Sequence, residues 1–262
     1  MKIAIIGAGN LGGAIAQGLL NSGFCKAADI SITRRNTAQL EAFARQGCVV
    51  TSDNKAAAKN ADVVVLAVKP YNYAEVLAGF KAVLQPKKHV LVSVVTGVYT
   101  EQLQKALGKA VPIIRAMPNT AIAIQQSMTC LANSGANDAQ LQYVKDLFDR
   151  LGRTAVIDEK LMDAATVLGA CGTAYAMRYI RANIQGGIEI GFDANTASLI
   201  AAQTVLGAAE LLLKTGSHPE KEIDKVTTPR GCTIAGLNEM EHQGFSSSLI
   251  RGIVTSYEKI GK

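Results

Sequence analysis

The amino-acid sequence predicts an α/β N-terminal domain, a Rossmann-type doubly wound sheet over residues 1–159, followed by an all-helical dimerisation domain over 160–262. Three observations carry that prediction. In the first part, short β-branched runs alternate with helical patterns, the order that builds a parallel sheet with crossover helices. The segment "GAGNLG" (7–12) stands directly between the first such run and a helical pattern. After Asp158 long Ala-rich helical stretches take over, with no strand between 160 and 215.

The elements follow in order. "KIAII" (2–6) reads as a strand and 10–22 as a helix. "DISIT" (29–33) is a second strand, followed by a helix over 37–46. "CVVT" (48–51), "DVVVLAV" (62–68), "HVLVSVV" (89–95) and "VPIIRAM" (111–117) continue the run of strands. Several are continuously apolar, as parallel strands covered on both faces are. Residues 127–132 and 153–158 read as added edge strands, with a helix at 138–151 between them. In the helical part, breaks are expected near Gly172, Gly186–Gly187 and Asp193. A loop with a short polar helix fills 216–232, and helices over 233–243 and 246–260 close the chain. Leu199, Ile200, Val205, Leu206, Leu211 and Leu212 put apolar side chains on more than one helix face. A helix apolar all round needs a cover. A second copy of the chain, giving a homodimer, is that cover in this reading; burial between the two domains is the other.

Composition narrows the class. With 262 residues, 48% of them hydrophobic, a sizeable core is feasible. Lys and Arg number 27 against 21 acids, a net charge of +6, and the positive charges are scattered. No long basic run or basic–aromatic stripe occurs, so no nucleic-acid partner is expected, and an anionic small molecule suits the charge. The five cysteines, at 25, 48, 130, 171 and 232, lack a CxxC spacing. Neither a metal site nor a disulfide framework follows from them, and reduced thiols in a cytoplasmic protein are expected. His89, His218 and His242 have no metal-ligand spacing either. The N-terminal "MKIAIIGAGNLGGAIAQGLLNSG" has the lysine and apolar run of a signal peptide, but its glycine spacing and strand-then-helix pattern argue against one. No uninterrupted apolar run approaches the roughly 20 residues of a membrane helix, so no membrane contact is expected.

"GAGNLG" matches GxGxxG in the strand–turn–helix context that gives the motif its meaning. Gly7 permits the tight turn, Gly9 lets the backbone approach a pyrophosphate, and Gly12 lets the helix pack closely on the sheet. The helix N-terminus adds free N–H groups and the positive end of its dipole. At the end of the second strand, "SITRRN" (31–36) has no acid to meet a ribose 2′-hydroxyl. Arg34, Arg35 and Asn36 are donors instead, and guanidinium groups match phosphate oxygens in a two-pronged geometry. NADP is therefore the better inference, as NADPH, with NADH as the alternative. "LAVKP" (66–70) ends another strand at the carboxyl edge of the sheet, where Lys69 is either a cofactor contact or a solvated charge.

The loop "TTPRGCTIAG" (227–236) contains no carboxylate or histidine. Pro229 and Gly231 shape a turn, and residues from Thr233 onward read as a helix. The N–H groups of Gly231, Cys232 and Thr233 are then expected to point outward unpaired, an arrangement that captures a carboxylate. The plainer alternative is a helix capped by Thr233.

The stretch 201–245, with "KVTTPRGCTIAGLNEME", resembles the C-terminal signature region of pyrroline-5-carboxylate reductases, the NAD(P)H enzymes of the last step of proline synthesis. "IGAGNLGGAIAQGLL", "LAVKP" and "RAMPNT" (115–120) resemble further blocks of that family in the same order, so the likeness spans nearly the whole chain. The resemblance implies a Rossmann domain followed by a helical dimerisation domain, with dimers that assemble further into decamers. It implies that Gly7, Ala8, Gly9, Asn10, Leu11 and Gly12 hold the pyrophosphate. Arg34, Arg35 and Asn36 would hold the 2′-phosphate, Asn54 the adenosine ribose, and Ala67, Lys69 and Pro70 the walls of the cofactor groove. Gly231, Cys232 and Thr233 would bind the substrate carboxylate, with Thr233 near the ring nitrogen as the catalytic helper. Two departures stand out. Arg230 occupies a position that is commonly glycine, and "GACGTAY" (169–175) replaces a Ser-Gly-Ser-Gly-Pro-Ala-Tyr break, so no role is carried over to that turn.

The implied reaction moves hydride from the nicotinamide C4 to C5 of a cyclic imine, giving proline. A protonated imine is already electrophilic, so positioning supplies most of the catalysis and no strong acid is needed. An NADP-dependent hydroxyacid dehydrogenase would need a proton donor, often a lysine early in the helical domain, and none occurs between Leu161 and Leu213. The acid–base candidates there are Asp163, Tyr175, Arg178 and Glu189, and of these Tyr175 is a proton donor, though a helix aromatic is more often core packing. A non-catalytic NADP-sensing dimer would need the same glycines but not the carboxylate loop.

Overall fold

The computed structural model describes residues 1–260, and packing divides them into two units, Met1–Cys171 and Gly172–Lys259. The first unit runs β1 (Ile3–Ile6), α1 (Asn10–Ser22), β2 (Ile30–Thr33), α2 (Glu41–Arg45), β3 (Val49–Thr51), α3 (Asn54–Asn60), β4 (Val63–Leu66) and α4 (Tyr73–Phe80). It continues with β5 (Val90–Ser93), α5 (Thr100–Leu107), β6 (Ile113–Met117), β7 (Ser127–Ser134), α6 (Asp138–Asp149), β8 (Gly152–Val156) and α7 (Met162–Ala165).

The eight strands form one sheet in the order β3-β2-β1-β4-β5-β6-β7-β8. Every neighbour pair is parallel except β6 with β7. All residues of β1, β4 and β5 are buried, which is why those strands read as unbroken apolar runs. Alternate residues feed two cores, as the two-residue period of a strand requires. Ile3, Ile5, Val65 and Val92 pack with Ile15, Leu19 and Phe148 on one face. Ala4, Ile6, Val64 and Leu66 pack with Leu77, Phe80 and Leu103 on the other. The strand order reverses between β1 and β4, the point where open α/β sheets leave a crevice at their carboxyl edge.

Several expectations need correction. β7 is not an edge strand, because β6 and β8 pair with it on either side. Its alternating pattern reports which side chains are covered, and that is independent of how many neighbours its backbone has. The helix expected at 37–46 begins as a 3₁₀ turn, Thr37–Leu40, whose first amides are met by Asn36 Oδ1 at 3.1 Å from Ala38 N, and only Glu41–Arg45 is α-helical. Short helices α3, α4 and α5 are too brief for a periodic signal.

Buried inside the first unit is the guanidinium of Arg115, on β6, 3.1 Å from Glu159 Oε1. The same carboxylate oxygen accepts the Thr100 amide at 2.7 Å and the Thr100 hydroxyl at 2.6 Å. Met162 and Val167 are also buried in this unit, so the chain packs with the sheet past residue 160, where the sequence pattern changes. Residues Thr166–Cys171 form a π-helical turn rather than a clean break.

The second unit, among its described residues, is built of helices without strands: α8 (Gly172–Glu189), α9 (Ala194–Thr215), α10 (Pro219–Lys225), α11 (Cys232–His242) and α12 (Phe245–Lys259). Gly186 and Gly187 do not break α8. A Cβ on Gly187 would lie 3.2 Å from Ala197 Cβ, so this glycine serves the close approach of α8 and α9. The chain turns instead at Gly191, with φ at 115°, and Asp193 caps α9 by accepting the amides of Asn195 and Thr196. Only Ala197 and Ala201 of α9 are buried, while Leu199 is 70% exposed and Leu206 52%. By length and mean composition α9 is apolar enough to cross a membrane, although Asn195, Gln203 and Glu210 interrupt its apolar run, as the sequence reading has it. An apolar helix this bare requires a cover that the isolated chain lacks.

Candidate active site

The glycine-rich loop follows β1 and is shaped by contacts that a side chain would break. Gly7 has φ at 99°, and a Cβ there would stand 2.7 Å from Ala67 O and from Val68 Cγ1. A Cβ on Gly12 would lie 2.3 Å from Gly7 O, so α1 can approach the loop only with glycine at that position. Gly9 caps α1 and has nothing within 4 Å of its Cβ direction, so open space, not protein, lies above it. The loop is tied to the end of β2. Ala8 N donates to Thr33 O at 2.8 Å, Gly7 N to Thr33 Oγ1 at 3.3 Å, and Arg34 Nη1 to Ala8 O at 2.8 Å. The first turn of α1 has neither a side-chain cap nor an acid. Its amides and dipole are therefore available to an anion.

A cleft of about 750 Å³ opens over this loop. Gly7, Ala8, Gly9, Asn10, Leu11, Arg34, Arg35, Asn36, Asn54, Ala67, Lys69 and Pro70 all line it. Gly12 does not, because it is buried beneath the loop as a packing residue. The cleft therefore has glycines where a backbone must approach a ligand and cationic donors at the end of β2, the chemistry that suits a phosphorylated dinucleotide. Sequence reading missed Gln39, Glu75, Val94 and Thr96, which also line it. Val94 and Thr96 had a legible signal, since they follow β5 at the same carboxyl edge of the sheet.

The loop 227–233 differs from expectation in its hydrogen bonds. Gly231 N donates to Thr228 O at 2.9 Å, closing a turn through Pro229 and Arg230. Its amide is therefore spent and not free. Arg230 has φ at 61°, the left-handed value required at the third position of such a turn and normally met by glycine. A Cβ on Gly231 would stand 2.5 Å from Thr228 Oγ1 and 3.0 Å from Thr228 O, so a larger residue there would have to displace the Thr228 side chain. The helix starts one residue earlier than expected, at Cys232, with Gly231 and not Thr233 as its cap. Thr233 is the second helical residue, and Cys232 and Thr233 are both exposed. No side chain caps α11 and no acid lies in its first turn. The amides of Cys232 and Thr233, with the Thr233 hydroxyl, are what remains for an anion.

Among the described residues no group of His, Cys, Asp or Glu is arranged to hold a metal ion. His89 is buried with both ring nitrogens engaged, Nδ1 accepting from Gln85 N at 2.9 Å and Nε2 3.2 Å from Ala58 O. The Tyr175 hydroxyl donates to Ser256 Oγ at 2.6 Å, a packing role and not that of a free acid. Asp163 accepts the hydroxyl of Tyr99, whose ring lies 4.9 Å from the Arg115 guanidinium carbon.

Comparison with known proteins adds to this geometry. Residues 159–262 match a family model described as pyrroline-5-carboxylate reductase dimerisation. Residues 2–97 match one described as NADP oxidoreductase, coenzyme F420-dependent. Pyrroline-5-carboxylate reductase 2 of Dictyostelium discoideum is 43% identical, covering 100% of this chain and 92% of its own. Pyrroline-5-carboxylate reductase 1 of the same organism is 48% identical over 98% of this chain, which spans only 49% of that longer relative. Among solved structures, a pyrroline-5-carboxylate reductase from Coxiella burnetii superposes with a TM-score of 0.93 at 30% identity, covering 99% of this chain and 97% of its own. The Plasmodium falciparum pyrroline carboxylate reductase with NADP bound gives 0.86 at 26% identity, covering 99% and 96%.

Proposed function

The chain belongs to the pyrroline-5-carboxylate reductase family, and on that premise we propose that it reduces L-1-pyrroline-5-carboxylate to L-proline with NADPH, NADH serving as the alternative reductant. The observation that carries this reading is the family relationship over the full chain, joined to a glycine-rich cleft with two arginines where NADP is expected. NADPH, when bound, supplies a hydride to C5 of the cyclic imine.

The residues of the chain do the rest. The first turn of α1 receives the pyrophosphate on its amides, and Arg34, Arg35 and Asn36 stand where a 2′-phosphate needs cations and donors. Asn54, which lines the cleft, meets the adenosine ribose in this reading, and Ala67, Lys69 and Pro70 wall the groove. In the second unit, the amides of Cys232 and Thr233 hold the substrate carboxylate while Gly231 fixes the turn that presents them. The Thr233 hydroxyl lies near the ring nitrogen and helps its proton exchange. The substrate enters as a protonated imine, so orientation against the reductant carries most of the rate.

Residues 1–159 form the cofactor domain and 160–262 the dimerisation and substrate domain in this reading, a division supported by the match of 159–262 to the dimerisation model. The bare apolar face of α9 supports a homodimer rather than a membrane span, and assembly into decamers extends the same proposal. A cytoplasmic enzyme without nucleic-acid or membrane partners completes it. Mixing protein, NADPH and pyrroline-5-carboxylate tests the reading: proline should form as NADPH is consumed. Consumption without substrate, or none at all, refutes it.

A further inference from the structure

The two adjacent arginines at the end of β2 occupy different settings. Arg34 is turned back on its own loop, with Nη1 bonded to the Ala8 carbonyl at 2.8 Å. Its backbone N–H is also engaged, donating to Thr51 O at 3.3 Å. Arg35 makes no hydrogen bond or ion pair among the described residues and faces the cleft with Asn36 and Gln39. The Oδ1 of Asn36 is spent on Ala38 N, leaving its amide nitrogen as the free donor beside Arg35.

A carbonyl aimed near a pyrophosphate cradle repels the anion. A guanidinium bonded to that carbonyl removes the repulsion and fixes the loop. We propose that the pair divides the work on the dinucleotide: Arg34 is a positioning residue that braces the Ala8 peptide for any pyrophosphate, and of the two arginines Arg35, beside the Asn36 amide, selects the 2′-phosphate. The proposal rests on the NADPH reading above and deepens it. It predicts that loss of Arg34 is blind to the 2′-phosphate, although that residue carries the same charge and lies next to the phosphate reader.

The test is calorimetric titration of the full chain with NADPH and with NADH, using wild type, R34Q, R34K and R35Q. R35Q should weaken NADPH by about tenfold or more, the scale of a charge-assisted contact, and change NADH by less than about twofold. R34Q should weaken both ligands by a similar factor, leaving their ratio at the wild-type value. R34K keeps a cationic donor for the Ala8 carbonyl and should recover part of both affinities in parallel, which carries this arm if R34Q fails to fold. The ligand-free melting midpoint separates loss of binding from loss of structure. The proposal is overturned if R34Q or R34K weakens NADPH alone, if R35Q weakens both ligands alike or neither, or if wild type does not prefer NADPH. No imine is present in these titrations. A protein that shows the predicted split but fails to reduce the imine sinks the reductase reading and leaves the division between the arginines standing.

Discussion

Thr233 sits at the second position of α11, exposed, with a hydroxyl beside two amides of an uncapped first turn. Those amides remain after truncation of the side chain, so T233A should lower kcat by about tenfold, the worth of one hydrogen bond to a charged group, and not abolish it. Steady-state kinetics decide this, and complete inactivity with intact folding and dinucleotide binding would contradict the helper role. His89 offers a second check at this scale. Burial, and then the Lys88 charge, hold its imidazole below the ordinary range, outweighing the Gln85 and Ala58 hydrogen bonds and the Asp62 charge. The unfolded chain therefore takes up the proton first as pH falls. The stabilising contribution is complete above the ordinary imidazole range and is lost on descending from there towards the folded value. Urea midpoints measured against pH should fall on the acid side of neutrality in wild type and less steeply in H89Q. An unchanged slope in H89Q would remove His89 from the account.

At the scale of elements, α1 rests on one glycine. In G12A the added Cβ meets Gly7 O at 2.3 Å, so the helix must retreat from the loop that it caps. Overpacking of this kind costs about 1–3 kcal/mol, and dinucleotide affinity should fall with it, by tenfold on the order of the same energy. Urea denaturation and titration check both. The turn before α11 holds the opposite liability. Arg230 occupies a left-handed conformation that costs a non-glycine residue about 1 kcal/mol, so R230G should raise stability by up to that amount. A simultaneous loss of substrate affinity would mean that the guanidinium touches the carboxylate.

These two elements also show what the sequence could reveal. The spacing of Gly7 and Gly12 between a strand and a helix is a local constraint, so it is visible in the residue string, whereas the closest approach at Gly12 is to the Gly7 carbonyl of the loop and not to the sheet that was expected. The pairing of β7 with both β6 and β8 is a long-range backbone property, and side-chain patterning does not encode it. The Gly231 amide looked free because the sequence marks a turn but not which carbonyl closes it. Gly186 and Gly187 looked like a break because glycine weakens an isolated helix, whereas here contact with Ala197 favours a small residue at Gly187, and Gly186 has open space in its Cβ direction. Glu75 and Gln39 reach the cleft from helical turns whose placement depends on the assembled sheet.

At the scale of the molecule, the second unit leaves Leu199 and Leu206, on one face about two helical turns apart, exposed on a helix long and apolar enough to span a membrane. Covering that face with a second copy explains it without a bilayer. Replacing both residues by glutamate should shift the protein to monomer in sedimentation while preserving dinucleotide binding by the first unit. An unchanged dimer would place the interface elsewhere. In the proposed function the front of α11 receives the carboxylate of a cyclic imine acid, and a dinucleotide sits over the β1–α1 loop. The most direct measurement is a crystal structure of the complex with NADP and proline. The expected result is the carboxylate of proline on the amides of Cys232 and Thr233 and the NADP pyrophosphate over the β1–α1 loop. A carboxylate bound away from residues 231 to 233 would contradict it.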